Sequence, residues 1–282
     1  MRSEIPSPSP PHRKILFHHI PKTAGTALIE HACALFGERV CPARYDQQLT
    51  EAAMTDERFV FYHGHFSQAA VGLFRQHNPD AFLFTFLRHP YPRVLSQYAN
   101  WTDRERVDHE FRQLEGTQPG DAHVHALHAK FRQLIFDMSL EDFVSSHDPD
   151  VVHVASNLQA QYLTADASPD CVRFHNAVPN ALMGYHFIGL QEFYAPCLRI
   201  LEARCALPQD SLGGTKRANT SDVAKGEGGY AVSRELVRKL EACNAYDLAL
   251  FYTVYAELYR NHGDVLPPIG TPIEELIGIR LT

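Results

Sequence analysis

Apolar positions along the chain gather in short runs that stop at polar or turn-forming residues, the pattern of strands feeding helices. Ile15, Leu16, Phe17 and Ile20 are strand formers, Pro21 ends the ladder, and ALIEHACALFG continues from Ala27 with helix-like spacing. Phe82, Leu83, Phe84, Phe86 and Leu87 make a nearly continuous apolar run, as a strand buried on both faces of a parallel sheet requires. Pro90 and Pro92 punctuate the loop after this run, and Arg93 to Tyr98 read as the first turns of a helix. RFVFYHGHFS, from Arg58 to Ser67, is a shorter strand-like run, and YHFIGL, from Tyr185 to Leu190, is a last strand leading into a helix. Ser139 caps a predicted helix, with Asp142 at the capping-box position. Leu236, Leu240, Tyr246, Leu250, Tyr252 and Tyr255 predict one helix from Ser233 to about Asn261, packed on the sheet. The expected fold is α/β, a single domain with a central, mainly parallel β-sheet flanked by helices. A chain of 282 residues supports such a domain without division. Residues 1–13, rich in proline and serine, read as a flexible tail, 14–262 as the domain and 263–282 as a C-terminal tail that docks on it or mediates association.

The stretch KILFHHIPKTAGT, Lys14 to Thr26, carries the first candidate chemistry. Gly25 permits an unusual backbone angle, and the helix after it presents its N-terminus to the loop. Backbone N–H groups from Thr23 to Thr26, the positive end of the helix dipole and the Lys22 ammonium then converge on one anion. No Asp or Glu lies between Lys22 and Ile29 to neutralise them. The Walker pattern GxxxxGK[ST] is absent, because the lysine precedes the glycine, and no GxGxxG turn is present. Taken alone, the segment reads equally as a strand-to-helix turn with a solvated lysine.

Arg88 stands at the carboxyl end of the Phe82–Leu87 run, where ligands collect in open α/β sheets, and its guanidinium suits a two-point grip on phosphate. Ser96, eight residues on, brings a hydroxyl toward the same anion. A strand-end salt bridge and a solvent-facing helix serine are the structural alternatives. His63-Gly64-His65 ends the third run. Imidazole has the unperturbed pKa that suits proton transfer near neutral pH. Alternate positions also put both histidines on one strand face, as a metal site would, but a catalytic zinc needs three protein ligands and no third is apparent, so no metal is expected.

Together these blocks resemble the sulfotransferases that use 3′-phosphoadenosine 5′-phosphosulfate (PAPS), in particular the heparan sulfate 2-O-sulfotransferase branch and its bacterial relatives. IPKTAGT resembles the family's 5′-phosphosulfate loop, so Pro21, Lys22, Thr23, Ala24, Gly25 and Thr26 are its expected donor contacts. FLRHPYPRVLSQY resembles the 3′-phosphate block, with Arg88 and Ser96 as anchors and His89 where the family commonly has Asp. FYHGHF is similar to the Tyr-His-Gly-His segment that holds the branch's catalytic base, which implies His65 as base, His63 as its support and Gly64 as the point of close approach to the donor. The resemblance further implies a nucleotide-kinase-like fold with a PAPS-binding strand-loop-helix. It implies Gln159 of NLQAQYL near the acceptor, and Lys216 and Arg217 in a loop over the 3′-phosphate and adenine. The implied activity is transfer of a sulfuryl group from PAPS to a hydroxyl of a carbohydrate or other small acceptor, leaving PAP and needing no metal. An ATP-dependent small-molecule kinase with a degenerate phosphate loop and a non-catalytic nucleotide-binding protein are the alternatives.

Composition agrees with an enzyme of this kind. Hydrophobic residues at 45% and charged residues at 21% are ordinary globular values. The formal charge of −7 argues against a nucleic-acid surface and favours a neutral or lightly charged acceptor. The cysteines at 33, 41, 171, 197, 205 and 243 form no CxxC pair and read as free thiols in a reducing compartment. No signal-type apolar core opens the chain and no run of about 18 apolar residues occurs, so a bacterial-type enzyme of the cytoplasm without a membrane anchor is expected, unlike the anchored Golgi relatives. His123, His125 and His128 match no metal motif and read as a solvated stretch.

Overall fold

The apolar runs become β1 (Ile15–His18), β2 (Phe61–Gly64), β3 (Phe82–Leu87) and β4 (Phe187–Leu190) of one parallel sheet, in the order β2-β1-β3-β4. The computed structural model describes residues 14–114, 126, 129–130, 132–164, 171–213, 231–266, 277 and 280–281. Between β1 and β2 lie α1 (Gly25–Phe36) and α2 (Glu51–Thr55), and α3 (Gln68–His77) joins β2 to β3. After β3 come α4 (Pro90–Thr102), α5 (Arg104–Leu114), α6 (Leu140–Val144), α7 (Pro149–Ala155), α8 (Leu158–Thr164) and α9 (Cys171–Met183). β4 leads to α10 (Tyr194–Arg204), and then come α11 (Arg234–Cys243) and α12 (Ala245–His262). A short parallel pair, β5 (Ala231–Val232) with β6 (Arg280–Leu281), returns the end of the chain to the domain.

Alternation along the strands divides the core. Ile15, Phe17, Phe84 and Phe86 pack with Leu28 of α1, Leu198 and Leu201 of α10, and Leu250, Phe251 and Val254 of α12. Leu16, Tyr62 and Leu83 turn to the other face, against Met54, Val71 and Phe74 of α2 and α3. A third cluster joins α4 through Val94 and Leu95 to Phe143, Val151, Leu236 and Leu240. The sheet is therefore covered on both faces, which is why its strands are near-continuous in apolar residues.

The helix expected from Ser233 to about Asn261 is two helices, broken at Asn244. Asn244 is fully buried at φ −125°, its Nδ2 donates to Leu240 O at 3.1 Å, and its Oδ1 accepts from Asn157 N at 3.0 Å. The amide thus caps α11 and ties the break to the start of α8. Ser139 caps α6 as expected, its hydroxyl accepting from Asp142 N at 3.1 Å. Cys41, Cys197 and Cys205 are buried free thiols, while Cys33 is exposed. No helix among the described residues is long and apolar enough to cross a membrane.

The topology selects one end of the sheet. From β1 the chain crosses to β2 on one side, then passes back over β1 to β3 and outward to β4. Open α/β sheets form their ligand crevice beyond the carboxyl ends of the strands where the direction of winding reverses, and here that reversal falls between β1 and β3.

Candidate active site

The candidate residues converge on that crevice, because Lys22, His65 and Arg88 each come after the carboxyl end of one of three adjacent strands. In the loop after β1 the left-handed angles fall at Lys22 (φ 67°) and Ala24 (φ 75°). Such angles are unfavourable for residues with a Cβ and mark stored strand-to-helix strain of the kind found at ligand-binding turns. Left-handed residues in a turn are the backbone element from which anion nests of N–H groups are built. Ala24 offers no side-chain cap to α1 and no acidic residue stands in its first turn, so the helix start keeps donors and positive potential. Thr26 is exposed on that turn, whereas Thr23 is fully buried with its hydroxyl donating to Ile20 O at 2.9 Å. Thr23 therefore braces the loop through its side chain and offers the cradle its backbone.

Gly25 does not supply the unusual angle expected of it. Its role is space: a Cβ there would lie 1.9 Å from His19 Nε2. The His19 ring is itself stacked on Phe17 at 5.2 Å and lies 4.5 Å from the His65 ring. Gly25→Ala must displace this stack, and a loss of about 1–3 kcal/mol in urea-unfolding stability is expected for such overpacking. Gly64 is likewise a matter of room, since a Cβ would meet the Phe66 ring at 2.5 Å and Arg44 O at 2.6 Å, so the close approach it permits is that of the chain around Arg44.

His65 comes just after β2 and is fixed at both ends. Its N–H donates to Arg44 O at 2.8 Å, and its Nδ1 lies 2.7 Å from His19 O. A carbonyl only accepts, so the neutral ring carries its proton on Nδ1 and its lone pair on Nε2. Burial lowers the His65 pKa, the bond to His19 O opposes this, and the Arg44 and Lys22 charges lower it further. His63, paired with Phe17 in the sheet, is buried and lowered to about 4 by burial, Arg44 and His65. His18 and His19 belong to the site without a motif to announce them. His18 is fully buried between Tyr185 OH (2.6 Å, Nδ1) and Phe66 O (2.8 Å, Nε2) and lowered to about 4 by burial. His19, lowered well below the usual range by burial and then by His65, supplies the carbonyl that orients His65. No residue-type pattern marks a residue that acts through its carbonyl.

Arg88 bridges the crevice, its Nη1 donating to Lys22 O at 3.3 Å. Lys22 Nζ donates to Asn100 Oδ1 at 2.9 Å on α4. Asn100 lies one turn beyond Ser96, so the two share a helix face, and Ser96 is partly exposed there. That i, i+4 relation is the signal by which Asn100 was findable. His89 is buried and accepts from Tyr91 N at 3.4 Å, a cap to α4, and burial lowers its pKa to about 3. A neutral imidazole thus serves as the cap at the helix start. Gln159 has another place than the acceptor contact expected of it: it is fully buried, with its amide bonded to the Arg88 backbone and to Asp247. Lys216, Arg217, His123, His125 and His128 lie outside the described residues. Among the described residues no three His, Cys, Asp or Glu side chains are grouped to hold a metal ion.

The arrangement combines an N–H-rich cationic loop, a second cation facing it across the crevice and a neutral imidazole with a defined tautomer. It can hold an anion at two points while a proton is taken up beside them. No curated protein matches the chain significantly. A family model described as the Sulfotransferase family matches residues 9–175, a span that contains Lys22, His65, Arg88, Ser96 and Gln159. Because that span is more than half of the 282 residues and includes all three strand ends of the crevice, the chain belongs to the sulfotransferase family.

Proposed function

We propose that the protein transfers the sulfuryl group of PAPS to a hydroxyl of a carbohydrate or similar small acceptor, with His65 as general base. The observation that carries this reading is the bond from His65 Nδ1 to the His19 carbonyl, which leaves Nε2 as the proton acceptor beside the cationic loop. The acceptor oxygen attacks sulfur and its proton passes to His65 Nε2. The bond between sulfur and the 5′-phosphate oxygen breaks, and its electron pair stays on that oxygen as PAP leaves. Lys22 and the N–H groups of Thr23 to Thr26 stabilise the charge that develops there. Arg88 and Ser96 hold the 3′-phosphate, which separates PAPS from ATP, and the resemblance of the chain to this family assigns Lys216 and Arg217 to the same phosphate. The segment FYHGHF supports the heparan sulfate 2-O-sulfotransferase branch and hence a glycan hydroxyl as target.

Titration calorimetry with PAP and with ATP, each with and without Mg²⁺, tests the donor. Metal-independent binding of PAP and at least about tenfold weaker binding of ATP is expected, as loss of one charge-assisted phosphate contact implies. Tight Mg²⁺-dependent binding of ATP in place of PAP would instead support a kinase. Incubation with sulfur-labelled PAPS and a panel of neutral and uronate-containing glycans tests the acceptor; label on none of them, with PAP bound, would leave a nucleotide-binding protein without turnover.

A further inference from the structure

We infer that Gln159 and Asp247 are positioning residues for Arg88, holding its backbone so that its guanidinium faces the donor; this rests on the reading of Arg88 as the 3′-phosphate anchor. Arg88 is the first residue past β3, whose last pairings are Leu87 with Leu190 of β4 and, on the other side, Phe84 with Phe17 of β1. The ladder has run out, and the peptide groups of Arg88 need partners because the strand end is buried. Gln159 supplies both: its Oε1 accepts from Arg88 N at 2.8 Å and its Nε2 donates to Arg88 O at 2.8 Å. A primary amide presents one donor and one acceptor side by side, as a peptide group does, so the side chain acts as one more residue of sheet.

Gln159 is in turn held by Asp247. The Asp247 carboxylate accepts from Ala160 N at 2.8 Å through Oδ1, and from Gln159 N and Gln159 Nε2 at 3.3 Å each through Oδ2. Arg93 Nε lies 3.8 Å from the same Oδ2, and Arg93 Nη1 donates to Val154 O at 2.9 Å. Arg93, Gln159 and Asp247 are all fully buried, and they tie α4, α8 and α12 together at one point. A buried ionic cluster is weak as a source of stability compared with apolar packing, and this one leaves Arg93 Nε without a hydrogen-bond partner. What it does deliver is a two-point grip on a residue that faces the crevice, and on the helix that carries Ser96 and Asn100.

The test uses the ratio of dissociation constants for 5′-AMP and PAP, which differ only by the 3′-phosphate. The ratio is read by calorimetry on the full chain and is independent of the fraction of folded protein, since both ligands meet the same fraction. The wild-type chain is expected to prefer PAP, and Gln159→Met to lower that preference about tenfold with 5′-AMP affinity unchanged. In turnover the same variant raises KM for PAPS and leaves kcat in place. Gln159→Asn, which keeps a polar amide but withdraws it by one methylene, is the second variant and is expected to behave alike. A wild-type chain with no preference for PAP would overturn the assignment of Arg88 itself. A wild-type preference that both variants retain, or failure of both to fold, would overturn the positioning role and leave Gln159 a purely structural residue.

Discussion

His65→Ala is expected to lower kcat for sulfuryl transfer by about 10²–10⁴-fold, the usual worth of a positioned general base, while PAP affinity changes by no more than about twofold. The split arises from the layout of the site. His65 is reached through β2 and the segment around Arg44, whereas the groups proposed to hold the anion sit after β1 and β3, so removal of the imidazole leaves the loop N–H groups, Lys22 and Arg88 in place. The pH profile supplies a second sign. Burial and the nearby Arg44 and Lys22 charges lower the His65 pKa, so the proposed base stays deprotonated below the ordinary histidine range. The acid limb of kcat/KM should therefore fall at a pH below about 6.5, the unperturbed value. Steady-state assays with labelled PAPS across pH 5–8, with calorimetry for PAP on the same preparations, check both. A variant that loses PAP binding together with turnover would make His65 a donor contact, and one that keeps full turnover would move the base elsewhere.

The parts of this site that can be read in the sequence are those made within one strand-loop-helix unit. Strand formers, a proline stop and helix-like spacing suffice to fix Ile15–His18, the loop at Lys22 and α1, because all three signals are local. The run from Phe82 to Leu87 and the cation after it are legible for the same reason. What escapes is whatever depends on a distant partner. Gln159 and Asp247 are 88 positions apart, and amphipathic spacing assigns both to helices without saying that their polar groups meet. Lys22 and Asn100 are 78 apart. Glycine is the residue type that advertises a positive φ, so Gly25 attracts the assignment, yet the turn puts those angles on Lys22 and Ala24 and uses Gly25 to admit the His19 ring. The break at Asn244 was locally visible, since asparagine favours helix ends, but a continuous apolar stripe on both sides outweighs a single capping residue.

Mild acid should destabilise this protein well above the pH at which its carboxylates protonate. His18, His63 and His89 are buried and held neutral, at about 4, about 4 and about 3, each chiefly by burial. In the unfolded chain each titrates near 6.5. Below that pH the unfolded state binds protons that the folded state refuses, so stability is intact above about pH 6.5 and declines as pH falls toward the folded values. Between pH 7.5 and 5.5 each group accounts for about 1.4 kcal/mol, and the three for about 4 kcal/mol, a large share of the roughly 5–15 kcal/mol that stabilises a domain. For a chain of this size the melting temperature should drop by roughly 10 °C over that interval. Thermal unfolding at constant ionic strength reads this directly, and a melting temperature flat from pH 7.5 to 5.5 would show that the imidazoles find protons without unfolding. His89→Asn isolates one contribution. Its amide oxygen can still accept from Tyr91 N at the start of α4, but it does not titrate, so the stability difference between the two pH values should shrink by about 1.4 kcal/mol while stability at pH 7.5 is nearly kept. The same ring packs edge-on against Phe251 at 5.1 Å, so a variant that is weaker at both pH values by an equal amount would assign His89 to packing and remove it from the proton balance.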